Sequence, residues 1–306
     1  MTIAVFGSIN MDLVVRAPRF PKPGETLSGH TFYTAPGGKG ANQAVAAARL
    51  GVSTFMVGRV GQDVFSKALL ESLQANRVNI DGIWRDPDHP SGTAVIMVDD
   101  SAENSIIIVP GANGAINSDD LNRLEEVLKT VSHLLLQLEI PVGMVVAAAK
   151  LARQRGVTVI LDPAPARPLP EELYRSVDWM TPNESEASIL MQKTIQTERE
   201  AAEAASMLHE RGVPKVVIKM GSKGAFWSDG KQECFLPAYS VQAVDTVAAG
   251  DAFNGALAAA LSEEKPVTEA LTWAMAAGAL STTRYGAQPS MPERKELLAF
   301  IEERKE

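Results

Sequence analysis

The sequence predicts an α/β fold, a three-layer α/β/α sandwich around a mainly parallel sheet that carries a small β-sheet lid. Short apolar runs rich in Val and Ile alternate with longer alanine-rich segments of helical spacing. Each apolar run ends in a turn or a polar residue, and several of the helical segments end in glycine. This alternation is typical of a parallel sheet that is covered by helices on both faces.

The predicted elements follow one another along most of the chain. Strands are predicted at 3–8, 52–61, 133–139, 157–166, 177–184 and 215–224. Helices are predicted at 40–51, 119–130, 145–156 and 198–212, and a buried helix is predicted to begin near residue 251. In such sheets ligands bind beyond the carboxyl ends of the strands, so the polar residues that end these runs are expected to converge there.

Two segments depart from the alternation. Residues 10–34 and 83–109 are rich in Pro, Gly and Asp turns between short strand-like runs, which predicts strand pairs. We expect them to form one discontinuous β-lid; the alternative is that they are surface excursions of the main sheet. Because the sequence has no repeat, low-complexity tract or long linker, residues 1–306 are expected to form a single domain.

Composition narrows the class of partner. A net charge of −8 argues against binding to nucleic acid or to an anionic membrane by electrostatic attraction. The single cysteine, Cys234, excludes an intrachain disulfide framework and a multi-cysteine zinc site, and it fits a reducing compartment. With no basic leader and no apolar run of roughly 18 residues, a cytoplasmic protein that does not span the membrane is expected.

The glycine-rich segment PGGKGANQA at 36–44 is neither of two familiar phosphate loops. A Walker loop requires Gly where Tyr33 stands and Ser or Thr where Gly40 stands, and a dinucleotide fingerprint requires Gly where Gln43 stands. What remains is a backbone that can approach a small ligand closely at the start of a helix, with Asn42 able to donate and accept hydrogen bonds. A simple helix-entry turn is the alternative.

Polar residues at strand ends suggest a sugar site. Asn10 and Asp12 alternate onto one side of an extended segment and are a natural clamp for adjacent hydroxyl groups. An Asx turn is the alternative interpretation of this pair. Glu139, at the end of the apolar run QLE, is a further candidate for a hydroxyl contact or a cap.

Two further segments carry candidate metal and phosphate ligands. Asn183 and Glu186 lie one helical turn apart in TPNESE, and such oxygen ligands suit a partly hydrated Mg²⁺, although Asn183 alone could be an N-cap. The turn KMGSKG at 219–224 could pass beneath phosphates or could be a plain hairpin turn.

The stretch DTVAAGDAFNG is the most specific motif. Small residues at 248–250 leave backbone N–H groups unshielded at a helix N-terminus, where anions bind. Asp251, just inside the helix, could accept the proton of an attacking hydroxyl, so the segment could serve phosphoryl transfer. A capped helix with small packing residues is the alternative.

Together these motifs resemble the ribokinase branch of the PfkB carbohydrate-kinase family. The segments GSINMD, GGKGANQA, QLE, PAPA, TPNE, GSKG, AVDTVAAGDAFNGAL and GAQPS occur in that family's order and span nearly the whole chain. The resemblance implies an α/β/α sandwich with a β-lid that often clasps a second subunit, and it implies ATP-dependent phosphorylation of the 5-hydroxyl of D-ribose with Mg²⁺ and K⁺. A homodimer through the lids is expected.

The resemblance also implies roles for individual residues. Asp251 matches the catalytic base, and the anion hole matches Ala248, Ala249 and Gly250. The sugar-contacting positions match Asn10, Asp12, Gly38, Lys39, Asn42 and Glu139. The nucleotide and Mg²⁺ positions match Asn183, Glu186 (indirectly to Mg²⁺), Lys219, Gly221, Ser222, Gly224, Gly250 and Met275. A monovalent-cation site matches Asp245, Val247, Ser281, Arg284, Gly286 and Ser290.

Three positions depart from the broad family pattern. Ala248 replaces the first glycine of DTxGAGD, a change that ribokinases share, Asp162 stands where ribokinases often have asparagine, and Met275 stands where a polar residue is frequent near adenine. Alternative functions are a kinase for a related sugar such as 2-deoxyribose and a non-catalytic sugar-binding regulator. A nicotinamide dehydrogenase is disfavoured, because the sequence lacks the dinucleotide-binding fingerprint that such an enzyme needs.

Overall fold

The computed structural model describes residues 1–101 and 103–304. Its strands are β1 (Thr2–Phe6), β2 (Asn10–Arg16), β3 (Thr31–Gly37), β4 (Ser53–Gly61), β5 (Val78–Asp86), β6 (Gly92–Val98), β7 (Asn104–Val109), β8 (His133–Leu136), β9 (Thr158–Leu161), β10 (Trp179–Met180), β11 (Lys215–Lys219), β12 (Gly224–Ser228) and β13 (Glu233–Pro237). Its α-helices are α1 (Lys39–Arg49), α2 (Ser66–Ala75), α3 (Ser118–Leu128), α4 (Val142–Gln154), α5 (Glu171–Tyr174), α6 (Glu184–Met191), α7 (Glu198–Glu210), α8 (Ala249–Ser262), α9 (Val267–Ser281) and α10 (Arg294–Glu302).

A nine-stranded sheet forms the centre of the molecule, in the order β13-β12-β11-β10-β9-β8-β1-β4-β5. Its strands pair in parallel from β5 to β11, and only the β11–β12 and β12–β13 pairs are antiparallel. In β1, Ile3 and Val5 pack into one apolar core, whereas Ala4 and Phe6 pack into the other. Alternate residues of a strand point to opposite faces, so both faces are buried under helices and the predicted three-layer sandwich is confirmed.

A separate four-stranded sheet, in the order β3-β2-β6-β7, forms the predicted lid. Its boundaries differ from the predicted segments at two places. Residues 83–86 end β5 of the central sheet, and the first lid segment continues to Gly37. Asp86 explains the first difference: it ion-pairs with buried Arg59 at 2.8 Å, and its other oxygen accepts the backbone N–H groups that form the turn after the strand. The chain therefore leaves the central sheet only after Asp86.

The predicted helices are present, with boundaries shifted by up to three residues. Three long helices that were not predicted, α2, α9 and α10, complete the layers over the sheet. Of these, α9 packs against α8, and α10 packs against α9. No helix within residues 1–101 and 103–304 is both long and apolar enough to cross a membrane.

Candidate active site

The candidate site lies at the carboxyl edge of the central sheet. Strands β1, β8, β9 and β10 all end there, and each is followed by a polar residue that faces its neighbours: Ser8, Glu139, Asp162 and Asn183. The N-termini of α1, α6 and α8 point to the same edge. Parallel topology thus brings together residues that are far apart in the sequence, as the fold class predicts.

Asp251 lies in the first turn of α8 and is 4% exposed. Its carboxylate accepts hydrogen bonds from Asn42 Nδ2 at 3.0 Å and from Gln43 Nε2 at 3.1 Å. Burial raises the pKa of Asp251 to about 6, although the positive charge of Lys39 opposes the shift. A carboxylate with this pKa is ionised at neutral pH but accepts a proton more readily than an ordinary aspartate.

The residue before α8 has a backbone conformation that glycine usually adopts. Ala248 is the N-cap of α8 with φ 61° and ψ 13°, in the left-handed region, and it has no side-chain acceptor for the first turn. Of the residues assigned to the anion hole, Ala249 donates its N–H to the Thr246 carbonyl at 3.3 Å, so it differs from the prediction. Among the described residues, no acceptor is found for the N–H groups of Ala248, Gly250 and Asp251. The helix N-terminus therefore presents free donors to the cleft, which is the geometry of an anion hole.

The predicted sugar-contacting residues gather around one carboxylate. Glu139 Oε2 accepts hydrogen bonds from Ser8 Oγ at 2.6 Å, from the Lys39 backbone N–H at 3.2 Å and from Asn10 Nδ2 at 3.4 Å. The Asp12 carboxyl faces the backbone of Gly37, where a Cβ would lie 2.3 Å from Asp12 Oδ2. A side chain at position 37 would therefore displace the Asp12 carboxylate.

Within the described part of the chain, two polar side chains in this cradle, Asn42 and Asp12, have an unpaired atom or a strongly shifted pKa. Asn42 Oδ1 is buried and lacks a hydrogen-bond partner within residues 1–101 and 103–304. Burial, with the negative charges of Glu139 and Asp251, raises the pKa of Asp12 to about 7. Buried acceptors without partners are costly, so a ligand that carries hydroxyl donors fits this cradle.

Three residues of the site were missed by sequence reasoning. Asn113, in the short helical turn after β7, accepts from the Ile9 backbone N–H at 3.0 Å and donates to Asn10 Oδ1 at 2.8 Å. Gln43 links Asp251 to Asp162, whose Oδ2 accepts from Gln43 Nε2 at 3.0 Å. Ser8 was passed over within GSINMD. No local sequence signal identifies these residues, because their roles depend on contacts with other elements.

On the other side of Asp251 lies a cleft of about 670 Å³. All of the predicted nucleotide-side residues line it, namely Asn183, Lys219, Gly221, Ser222, Gly224, Gly250 and Met275, together with Glu186, Ala248 and Ala249. The turn that follows β11 confirms the predicted strand-to-strand turn. The volume suits a nucleotide-sized ligand.

Asn183 and Glu186 form a reciprocal cap at the start of α6. Asn183 Oδ1 accepts from the Glu186 N–H at 2.8 Å, while Glu186 Oε2 accepts from the Asn183 N–H at 2.7 Å. Glu186 Oε1 accepts from Asn183 Nδ2 at 2.9 Å, so both carboxylate oxygens already have partners. No group of three or more His, Cys, Asp or Glu in the described part of the chain could enclose a metal. The residues fit a hydrated Mg²⁺ held through water and substrate phosphates rather than an all-protein cage.

The predicted monovalent-cation residues lie on two adjacent loops and at the end of one helix. Asp245 and Val247 are in the loop before α8, Ser281 is the last residue of α9, and the loop between α9 and α10 carries Arg284, Gly286 and Ser290. Asp245 joins the two loops, because Oδ1 accepts from the Val247 N–H at 3.0 Å and Oδ2 accepts from the Gly286 N–H at 2.9 Å. The hydroxyls of Ser281 and Ser290 are buried and donate to backbone carbonyls. The Arg284 side chain ion-pairs with Glu296, which leaves only its backbone for the site. Loops that carry backbone carbonyls beside a carboxylate fit a weakly hydrated monovalent cation.

Comparison with known proteins identifies the family. The family model described as pfkB family carbohydrate kinase matches residues 2–294. The chain belongs to this family. It is a carbohydrate kinase, as the order of its motifs predicts.

Curated relatives match over nearly the full chain. Ribokinase of Bacillus subtilis is 44% identical over 296 residues, covering 96% of this chain and 97% of the relative. Ribokinase of Haemophilus influenzae is 42% identical over 301 residues, covering 98% of each. A deoxyribokinase of Salmonella typhi is 37% identical over 302 residues, covering 98% of this chain and 99% of the relative.

Solved structures support the same fold. Arabidopsis thaliana ribokinase complexed with ribose and ATP superposes with a TM-score of 0.90 at 38% identity, covering 98% of each chain. Ribokinase from Thermotoga maritima also has a TM-score of 0.90, at 39% identity, covering 98% of this chain and 99% of that one. The ribokinase-like fold with its separate lid sheet is thereby confirmed.

Proposed function

We propose that this kinase transfers the γ-phosphoryl group of ATP to the primary 5-hydroxyl of D-ribose, giving ribose 5-phosphate and ADP. The observation that carries the proposal is the position of Asp251. It lies in the first turn of α8, between the predicted sugar-contacting side chains and a nucleotide-sized cleft. The relatives named ribokinase, at 42–44% identity, support ribose as the sugar.

The arrangement suits a direct in-line transfer. The ribose 5-hydroxyl, held toward Asp251, attacks the γ-phosphorus, and the Asp251 carboxylate accepts its proton. The bond from the γ-phosphorus to the β,γ-bridging oxygen breaks, and its electron pair leaves with ADP. The free N–H groups of Gly250 and Asp251 stabilise negative charge on the transferring group, where preorganised donors are most effective.

The sugar cradle explains selectivity for a polyhydroxyl substrate. Asn10, Asp12 and Glu139 provide acceptors and an amide on one side, and Asn42 adds an acceptor that has no protein partner in the described part of the chain. A site built to hydrogen-bond a hydroxyl discriminates strongly against an analogue that lacks it. We therefore expect ribose to be preferred over 2-deoxyribose, although a deoxyribokinase is 37% identical.

The proposal includes two cations. Mg²⁺ would neutralise the phosphates of ATP when bound, and Glu186 with Asn183 would hold its water shell at the edge of the cleft. K⁺ would be held by the loops around Asp245 and Gly286, beside the start of α8. The protein itself would hold the N–H groups at the start of α8 in position and would supply charged side chains to the walls of the cleft.

We also propose a cytoplasmic homodimer. The single Cys234 fits a reducing compartment. The edge strand β7 exposes Ile106, Ile107, Ile108 and Val109, with exposed fractions of 39–66%. An exposed apolar edge strand is a natural site for pairing with a second copy, and the lid is where the family resemblance expects one.

The decisive experiment is coupled release of ADP with Mg-ATP and K⁺, comparing ribose, 2-deoxyribose, fructose and adenosine. Ribose-dependent turnover by the wild type that collapses in Asp251→Asn would support both the substrate and the base. Faster turnover with another sugar would overturn ribose as substrate. Ribose binding without any turnover would point to a sugar-binding regulator and overturn the kinase assignment.

A further inference from the structure

Lys219 places a charged ammonium group against the anion hole. It is the last residue of β11, and its side chain is 13% exposed. Its Nζ donates to Asp162 Oδ1 at 2.9 Å. A Cβ built on Gly250 would lie 3.2 Å from Nζ, so the ammonium lies directly beside the backbone that begins α8.

The Lys219 ammonium has more N–H donors than protein acceptors within the described residues. It carries three protons, and Asp162 is the one acceptor that Nζ contacts among residues 1–101 and 103–304. Lys219 also lines the cleft beside Gly250. Burial lowers the pKa of Lys219, but the charges of Asp162 and Glu186 outweigh that effect and keep it above the ordinary lysine value. The group is therefore a charged donor that faces the cleft beside Gly250.

Asp162 fixes the position of the Lys219 ammonium. Its other oxygen, Oδ2, accepts from Gln43 Nε2 at 3.0 Å, and Gln43 Oε1 in turn accepts from Gln137 Nε2 at 2.7 Å. Asp162 is 1% exposed and both of its oxygens have partners, so its position is fixed. A carboxylate fixed in this way restricts the ammonium to the side of the cleft that Gly250 occupies.

Resting on the function proposed above, we propose that Lys219 is a further catalytic residue, whose ammonium donates hydrogen bonds to the γ-phosphoryl oxygens during transfer, and that Asp162 positions it. Lys219 gives up no proton: the hydroxyl proton passes to Asp251, and the electron pair of the broken P–O bond leaves on ADP. Its positive charge offsets the negative charge of the transferring group, whose three oxygens lie at the N-terminus of α8.

The neighbouring Lys223 supplies a matched control. It belongs to the same turn, but its ammonium binds Glu184 Oε1 at 2.6 Å and the Gln196 carbonyl at 2.7 Å, away from the cleft. Replacing Lys219 by Met alone would leave Asp162 as an unpaired buried charge, which can unfold a protein. The test therefore also uses Lys219→Met with Asp162→Asn, which removes both charges and preserves the acceptor for Gln43.

The experiment measures kcat, the KM for ribose and calorimetric Kd values for ADP and for the β,γ-imido analogue of ATP. The variants are Lys219→Met, Lys219→Arg, the Lys219→Met/Asp162→Asn double variant and Lys223→Met. We expect kcat to fall about 10²–10³-fold in both Lys219→Met proteins, with the KM for ribose unchanged. Lys219→Arg should recover part of kcat, and Lys223→Met should behave as wild type. The imido analogue should lose affinity in Lys219→Met while ADP does not.

Two results would overturn the inference. One is a kcat within about threefold of wild type in the folded double variant, which would make the pair purely structural. The other is an equal loss of affinity for ADP and the imido analogue. The two proposals fail separately: if the wild type phosphorylates no sugar, the proposed function fails, whereas the difference between ADP and the imido analogue still tests Lys219.

Discussion

Asp251 is ionised at neutral pH in a place where burial opposes ionisation. Its two hydrogen bonds from Asn42 and Gln43 and the nearby Lys39 only partly offset the desolvation. Catalytic carboxylates commonly show this conflict, because a base that is destabilised as an anion takes a proton more readily. The conflict has consequences both for stability and for the pH dependence of activity.

Asp251→Asn should make the free protein more stable while greatly lowering kcat. The folded pKa of about 6 exceeds the ordinary value of 3.8, so the stabilisation by the bound proton is complete below pH 3.8 and is lost as pH rises through 6. At pH 7.5 ionisation costs about 3 kcal/mol, from about 1.4 kcal/mol per pKa unit. An amide avoids this cost. A flip of the Asn42 side chain would let its Oδ1, which has no partner within residues 1–101 and 103–304, accept from the new amide.

Urea unfolding at pH 7.5 and pH 5 measures this prediction. We expect the Asp251→Asn variant to be more stable than wild type by about 1–3 kcal/mol at pH 7.5, with a smaller advantage at pH 5. Its kcat should fall by about 10³-fold or more, because the general base is lost. A variant less stable than wild type at pH 7.5 would contradict the assigned burial cost.

The pH profile of kcat/KM for ribose should have an acid limb near pH 6. The base acts only when ionised, so activity should fall about tenfold per pH unit below the Asp251 pKa of about 6. Asp12, with a pKa of about 7, lies in the same cradle and could produce its own limb. The Asp12→Asn variant distinguishes the two carboxyl groups. If the acid limb near pH 6 persists in this variant, it belongs to Asp251. If the limb disappears, it does not belong to Asp251.

At the scale of elements, helix N-termini supply much of the chemistry of the site. α8 begins after left-handed Ala248, and the N–H groups of Gly250 and Asp251 have no acceptor in the described part of the chain, whereas α6 begins after Asn183 with a capping box. A side-chain cap occupies N–H groups of the first helical turn, so a helix without one keeps more of these donors available to an anion. Mutation of Asn183 can separate its role in capping α6 from its role in supporting Glu186.

Asn183 should act both as a cap and as a support for Glu186. Asn183→Ala should lower the free energy of unfolding by about 1 kcal/mol, because the side-chain acceptor of the N-cap is lost. Asn183→Ser should restore stability but not the bond from Asn183 Nδ2 to Glu186 Oε1. We therefore expect the serine variant to need more Mg²⁺ for half-maximal activity. Normal Mg²⁺ dependence in that variant would mean that Asn183 acts as a helix cap and does not support Mg²⁺ binding through Glu186.

The two loops joined by Asp245 should respond to monovalent cations. If K⁺ binds there, activity in a K⁺-free and Na⁺-free tetramethylammonium buffer should be lower than with K⁺. Asp245→Asn weakens the bonds to Val247 and Gly286 that hold the loops together, so it should raise the K⁺ concentration for half-maximal activity. Equal wild-type activity with and without K⁺ would exclude this role.

At the scale of the whole molecule, the lid supplies part of the sugar cradle but is a thin sheet. Strand β2 carries Asn10 and Asp12. Among the described residues of the lid, three buried apolar side chains form a separate cluster, namely Val14, Ala94 and Ile96. A four-stranded sheet with so small a core gains stability from packing against another surface. A second subunit would provide that surface.

Equilibrium sedimentation of the wild type at micromolar concentration should show a dimer. Ile107→Lys places a charge on the exposed β7 strand and should shift the mass toward monomer and raise the KM for ribose. Val64→Lys is the control, because Val64 is also apolar and is 87% exposed but lies outside the lid. A wild-type monomer at this concentration would count against the lid interface.

Some features of this protein were determined by the sequence itself. Period-2 and helical patterns define the α/β class, and small residues before Asp251 indicate an anion site, because local geometry depends on neighbouring residues in the chain. The order of the motifs places the chain in its family. The site residues taken from the resemblance lie at one sheet edge, on the two loops joined by Asp245 or at the end of α9.

Only the tertiary structure decided the connections between these motifs. Gln43 bridges two carboxylates, Asn113 orders Asn10, and Asp162 holds Lys219 from 57 positions away. The boundary of the lid likewise depends on the buried pair between Arg59 and Asp86. Such contacts join residues from different strands and helices, and their energies depend on burial and distance, which no local pattern records.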